Sequence, residues 1–344
     1  MATFSDPSTY LNFLISPRIP PELVLKTIQH LPFNDGSLIT TIRSAHPRLR
    51  AIFRNYERSI TGSFMKKELR HAETDFKCGD DRLNVDWLAD CVHNYDIVDD
   101  VMDALCSEHN FNAVLQHNVP LANAGLLLLY RLTSIGQSTP QPNSSTAPAN
   151  LPSEDHADRL TYIKSLPRDP LVAIYLVLHH ATLSARYHGS GWINQRTYGR
   201  FMDANQVELR SELEFCFAEA ALCLGPEFIS DTLLHHDTSN AETTLLNFYH
   251  DHGTHDWDWP CWGTAKGEFE PPRTQGPHRE EGSGRSLFTT MLERLAECMA
   301  CELGDVRPRV ERQLESAEHE LAYLSLAGKA RLLEGKDVED VGGR

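Results

Sequence analysis

The sequence has no run of about 18 consecutive apolar residues, the length a bilayer-spanning helix requires. Its two most apolar stretches, Leu121–Leu132 and Leu171–Leu178, are short and flanked by polar residues, so no membrane association is expected. Met1–Tyr10 lacks the basic start and long apolar run of a secretory signal. A disulfide framework is missing too. The eight cysteines (78, 91, 106, 216, 223, 261, 298, 301) are scattered through 344 residues, the usage of reduced, mostly packed thiols in the cytoplasm or nucleus. Positive charge is in deficit: 32 Lys and Arg stand against 48 Asp and Glu, a net −16, which argues against generic binding to a phosphate backbone. Strand-type alternation between turn signals is absent, as is any internal repeat.

What is present reads as helix, and the expected fold class is mainly α. Trp87, Leu88, Cys91, Val92 and Tyr95 recur at helical spacing after Leu83, and Val98, Met102 and Leu105 continue the stripe. Asp169-Pro170 has the form of an N-cap followed by a first-turn proline. Val207, Leu209, Leu213, Phe217, Ala220 and Leu224 form a further stripe, stopped by Gly225-Pro226. Asp305 and Pro308 open a last helix expected to carry Val310, Leu314, Ala317, Leu321 and Leu324 on one face. Two stretches without apolar periodicity read as linkers. Residues 136–153 hold four prolines, six Ser or Thr and no charge, and residues 263–286 hold five glycines and three prolines. The expected organisation is therefore a helical module at 16–70, an acidic helical region at 71–135, the linker 136–153, a helical region at 154–262, the loop 263–286 and C-terminal helices at 287–335.

The most informative segment is Ile19–Ile52, IPPELVLKTIQHLPFNDGSLITTIRSAHPRLRAI. It reads as three short helices: one begun by Pro20-Pro21-Glu22 with Leu23, Val24, Ile28 and Leu31 as its apolar face, a second capped by Ser37, and a third opened by Pro47 with Leu49, Ile52 and Phe53 inward. The order of motifs resembles an F-box. Ile19, Pro20, Glu22 and Leu23 match its Leu-Pro-x-Glu-Leu start. Leu31, Pro32 and Asp35 match its Leu-Pro and acidic turn, and Leu38, Ile39 and Ile42 its second helix. Ala45, Leu49, Arg50 and Ile52 fall on the third segment. The pattern departs at polar Gln29, at Gly36, which reads as an insertion, and at Leu49, where an aromatic is usual. In style, an F-box-like start followed by a long helical region without Leu-rich or propeller repeats, the chain is similar to the large fungal families of F-box-like proteins.

That resemblance implies a module packed on or joined to an irregular α-helical domain, and a docking role without catalytic residues or cofactors. F-box proteins bind the Skp adaptor of a cullin-RING ubiquitin ligase through this module, and the rest of the chain recruits a protein substrate. Pro20, Glu22, Leu23, Ile28, Leu31, Pro32, Leu38, Ile42 and Leu49 are the implied adaptor-binding or module-core residues. Charge is compatible. Residues 16–70 carry ten basic and four acidic side chains, a balance of +6, and 71–110 carry two against eleven, −9. A basic module would be steered to an acidic adaptor. The same basic residues (Arg43, Arg48, Arg50, Arg54, Arg58) lack the interleaved aromatics of a nucleic-acid surface.

A rival reading centres on His250, His252, His255 and Asp256, imidazoles and a carboxylate suited to zinc or another divalent metal. The spacing resembles the HxHxDH motif of metallo-β-lactamase-like hydrolases, but Thr254 stands where that motif has its second-metal Asp. The alternatives to docking are thus a metal-binding protein or metal-dependent hydrolase, and a helical scaffold without adaptor docking. Cys298-Met299-Ala300-Cys301 has no second Cys pair and reads as buried thiols in an amphipathic helix. Of His179 and His180, one is expected at the core edge and one in solvent.

Overall fold

The computed structural model describes residues 14–77, 83–135, 154–189, 191–195, 207–235, 240–252 and 285–338. Among these residues all regular structure is helical, and no helix is long and apolar enough to cross a membrane. The two linker stretches expected at 136–153 and 263–286 lie outside the described residues, apart from Arg285 and Ser286. The chain divides into two compact units, Met1–Asp99 and Asp100–Arg344.

In the first unit, α1 (Pro21–His30) and α2 (Ser37–Ala45) both pack on α3 (Pro47–Glu68). One helical turn, α4 (Ala72–Asp75), and the first two-thirds of α5 (Val85–Cys106) follow. The third helix is not short: it runs 22 residues, because Ile60 and Phe64 extend the buried face begun by Leu49, Ile52 and Phe53. The core is filled by Val24 and Ile28 from α1, Ile39 and Ile42 from α2, and Phe33 from the turn between them, whose ring lies 5.2 Å from that of Phe64. Two local readings shift. Leu23 is 51% exposed and stands off the buried face formed by Val24 and Ile28. The cap of α2 is supplied by Asp35, not Ser37: its Oδ1 accepts the Ser37 N–H at 3.0 Å and the Ser37 hydroxyl at 2.7 Å, which hold the carboxyl below its ordinary range. Gly36 is required rather than incidental. Its φ is +77°, and a Cβ there would lie 3.1 Å from both the Phe33 ring and Ala89.

In the second unit, α6 (Val119–Ser134) and α8 (Arg168–His188) form the central pair, and α9 (Val207–Leu224) packs against both. The apolar runs seen in the sequence are these two helices. Leu126–Leu129 and Leu171–Leu178 are all buried, and a helix apolar on every side belongs inside a protein. Gly125 lets the pair approach: a Cβ at this position would lie 2.3 Å from the Ala173 carbonyl oxygen. Around them lie α7 (Glu154–Ser165), α10 (Pro226–Leu233), α11 (Ala241–His252), α12 (Leu287–Cys298), α13 (Val306–Glu315) and α14 (Leu326–Leu333). Gly225, at φ +83°, and Pro226 separate α9 from α10 as the sequence indicates, although Leu224 ends 44% exposed.

Three expectations for this unit are corrected. Asp169 is not an N-cap. It lies inside α8, fully buried, where Oδ2 accepts the Val338 N–H at 2.9 Å and Oδ1 accepts Arg168 Nε–H at 2.9 Å. The last expected helix stops at Glu315, so Ala317, Leu321 and Leu324 lie beyond it. There His117 and the Asn118 side chain bond the Leu314 carbonyl at 2.9 and 2.8 Å, and the Tyr323 N–H donates to the His117 carbonyl at 2.7 Å, so polar ties hold this turn where helix is absent. Cys301 lies past the end of α12, so the Cys298/Cys301 pair does not share a helix.

Candidate functional site

The nine residues implied by the F-box resemblance separate into two sets. Ile28, Ile42 and Leu49 are buried and belong to the first unit's own core. Pro20, Glu22, Leu23, Pro32 and Leu38 are exposed, with Leu31 half-buried at the end of α1. Leu23, 51% exposed, and Leu38, 42% exposed, are joined as large exposed apolar side chains in this unit by Tyr56 on α3.

The basic side chains near them are partly spent within the unit. Arg43 makes a two-pronged pair with Asp86 at 2.9 and 3.1 Å, which raises its pKa, and Arg48 donates to the Ile19 carbonyl. Arg50 and Arg54 remain exposed on α3. Counted over Met1–Asp99, twelve basic residues meet thirteen acidic ones, a net −1, which leaves −15 for Asp100–Arg344. The basic module is therefore a local patch in a nearly neutral unit, not a basic end of the molecule.

Of the histidine cluster, His250 is exposed near the end of α11, and the α11 backbone reaches His252. His255 and Asp256 lie outside the described residues. Among the described residues no group of three His, Cys, Asp or Glu side chains is placed to hold a metal ion.

The second unit contains a site that sequence reading did not identify. A cleft of about 330 Å³ opens between α8, α9, α12 and the start of α13. Its α8 wall presents Tyr175, His179 and Thr182, and its α9 wall Ser211, Glu214 and Phe215. Each set follows the i, i+3, i+4, i+7 spacing of one helix face. Aromatic pairs line both sides: Tyr175 stacks on His179 with centroids 5.9 Å apart, and Phe215 meets Phe288 of α12 edge-on at 5.6 Å.

Arg307 stands at the rim, its Nε–H donating to Glu311 Oε1 at 2.8 Å. The same oxygen lies 3.3 Å from His179 Nε2. Burial, then the neighbouring His180, push the His179 pKa down to about 4, so the ring is neutral at pH 7 and its Nε2–H faces the carboxylate. His180 is not in solvent either: its Nδ1 lies 2.7 Å from the Asn112 carbonyl, and burial lowers its pKa. On the opposite wall, Glu214 pairs with Arg186 at 3.3 Å. The i, i+4, i+7 set on α8 is visible in the sequence, but the facing wall is assembled from residues more than 25 positions away.

No family model, no curated protein and no solved structure matches the chain.

Proposed function

We propose that this protein is a non-catalytic interaction adaptor whose N-terminal helices dock on the Skp adaptor of a cullin-RING ubiquitin ligase, while the second unit recruits a protein substrate. The ligase machinery works in the cytoplasm and nucleus, so the adaptor acts there. The supporting sequence feature is the ordered match over Ile19–Ile52. The observation that carries the reading is the division within that match. Val24, Ile28, Ile39 and Leu49 fill the unit's interior, whereas Leu23 and Leu38 stay at the surface together with Pro20 and Pro32. Solvent-facing leucines among residues whose neighbours are fully buried are what a docking face requires.

Binding of the full-length chain to purified Skp adaptor tests this. The intact protein is expected to bind, and Leu23→Asp combined with Leu38→Asp to lose binding with its helical circular dichroism unchanged. Failure of the intact protein to bind, or undiminished binding by the folded double variant, refutes the reading.

A further inference from the structure

The cleft in the second unit has a chemistry separate from the docking of the first. Part of its lining is apolar and aromatic, formed by Tyr175, Phe215 and Phe288 with Leu178 and Leu292. Among the charged groups at its edge, both carboxylates already have basic partners: Glu214 has Arg186, and Glu311 has Arg307. Arg307 differs. One nitrogen is anchored on Glu311, and its two terminal nitrogens make no hydrogen bond among the described residues. The hydroxyl of Tyr175, a lining residue that is 5% exposed, makes none among the described residues either.

The site therefore combines an apolar, aromatic part of its lining with guanidinium and phenol donors that lack an acceptor among the described residues. A guanidinium held by one nitrogen offers a parallel pair of N–H groups, the geometry that matches a carboxylate. The volume lies at the lower end of small-molecule sites, which excludes extended ligands. We propose that this cleft binds a compact aromatic carboxylate, with its ring between the Tyr175 and Phe215–Phe288 walls and its acid group on Arg307 and the Tyr175 hydroxyl. Neutral His179 adds a polar edge without a competing charge. Leu303, 48% exposed, also belongs to the lining.

Isothermal titration of the full-length protein with 2-naphthoate and with neutral 2-naphthamide tests the site. Saturable 1:1 binding of 2-naphthoate is expected, with 2-naphthamide at least tenfold weaker. Arg307→Gln, at an exposed position, is expected to reduce naphthoate affinity at least tenfold and to leave naphthamide within about twofold. Ser211→Phe, also at an exposed position, fills the mouth and is expected to remove binding of both. The proposal is overturned if wild-type protein shows no saturable binding, if the two probes bind equally, if Arg307→Gln binds naphthoate as wild type does, or if Ser211→Phe leaves both titrations unchanged. Circular dichroism of each variant establishes that it is folded.

Discussion

The two units differ in how much charge they take inside. Both leave apolar side chains in solvent: Leu23, Leu38 and Tyr56 in the first, Phe111, Tyr323 and Leu326 in the second. Among the described residues the first buries one Asp, Glu, Lys or Arg side chain, Asp75, and the second buries three. Asp169 and Glu219 are fully buried and Arg210 nearly so. Burying a carboxylate is costly unless its lone pairs are filled, and here they are. Glu219 accepts the Leu287 N–H at 2.9 Å, the Phe288 N–H at 2.8 Å and the Ser286 hydroxyl at 2.7 Å, which caps the start of α12 from a helix 67 residues earlier. A half-exposed leucine such as Leu23 gives only part of its surface to its own unit. A buried, fully bonded carboxylate fixes the order in which its own helices pack. The contrast separates a unit held mainly by apolar packing from one whose packing is also fixed by buried charge.

The contrast can be broken most strongly at the first unit's centre. Phe64 is fully buried against Phe33, and Phe64→Ala is expected to cost about 3–5 kcal/mol in urea denaturation. Hydrogen exchange should show the loss across α1–α3, with α6 and α8 keeping their protection. Equal loss in both regions would mean that the units do not stand separately. Next in size, Glu219→Ala is expected to cost about 2–3 kcal/mol, because two helix-starting N–H groups and a hydroxyl lose a charged acceptor. Amide exchange at Leu287 and Phe288 should accelerate before that elsewhere in α12.

A pH dependence of the second unit comes third, on the order of 2 kcal/mol. Above pH 6.5 His179 is neutral in the folded and the unfolded chain and contributes no slope. As pH falls from 6.5 towards about 4, the unfolded chain gains a proton that the folded one refuses, so stability declines; below that both are protonated and the slope ends. His179→Gln should flatten the pH 4–6.5 segment of a stability profile, and an unchanged profile would remove His179 as its source. The smallest effect belongs to the surface leucines of the first unit. Leu23→Ser and Leu38→Ser should each cost about 1 kcal/mol or less, since only about half of each side chain is covered. A loss of about 2 kcal/mol or more in urea denaturation would show these leucines to be part of the core after all.

Much of this architecture was legible in the sequence wherever the deciding contacts are local. Pro47, Gly225-Pro226 and the runs at Leu121–Leu132 and Leu171–Leu178 announce helix starts, a helix stop and buried helices through backbone chemistry and period alone. Legibility ends where a partner is distant. Asp169 has the form of an N-cap, yet its carboxylate is used by Val338. Glu219 looks like any helix-surface acid until the start of α12 is brought to it. The apolar spacing from Val310 to Leu324 is real, but after Glu315 a network through His117 and Asn118 competes successfully with helix. The cleft eluded reading for the same reason, since neither the α8 face nor the α9 face has meaning as a site without the other. The charge balance misled because it was counted over a segment: α5 returns acidic residues such as Asp86 to the basic stretch that precedes it.

The clasp on Asp169 also has a consequence in time. Its backbone N–H donates to Asp337 Oδ1 at 2.8 Å, and its carboxylate waits for Val338. At about 5–20 residues per second of protein synthesis, those partners reach it roughly 10–30 s after Asp169 itself is made. The first unit ends at Asp99. A nascent chain therefore holds the whole first unit while Asp169 still lacks the two bonds that Asp337 and Val338 supply. On the ribosome, the unit held mainly by apolar packing is ready before the one that this clasp closes.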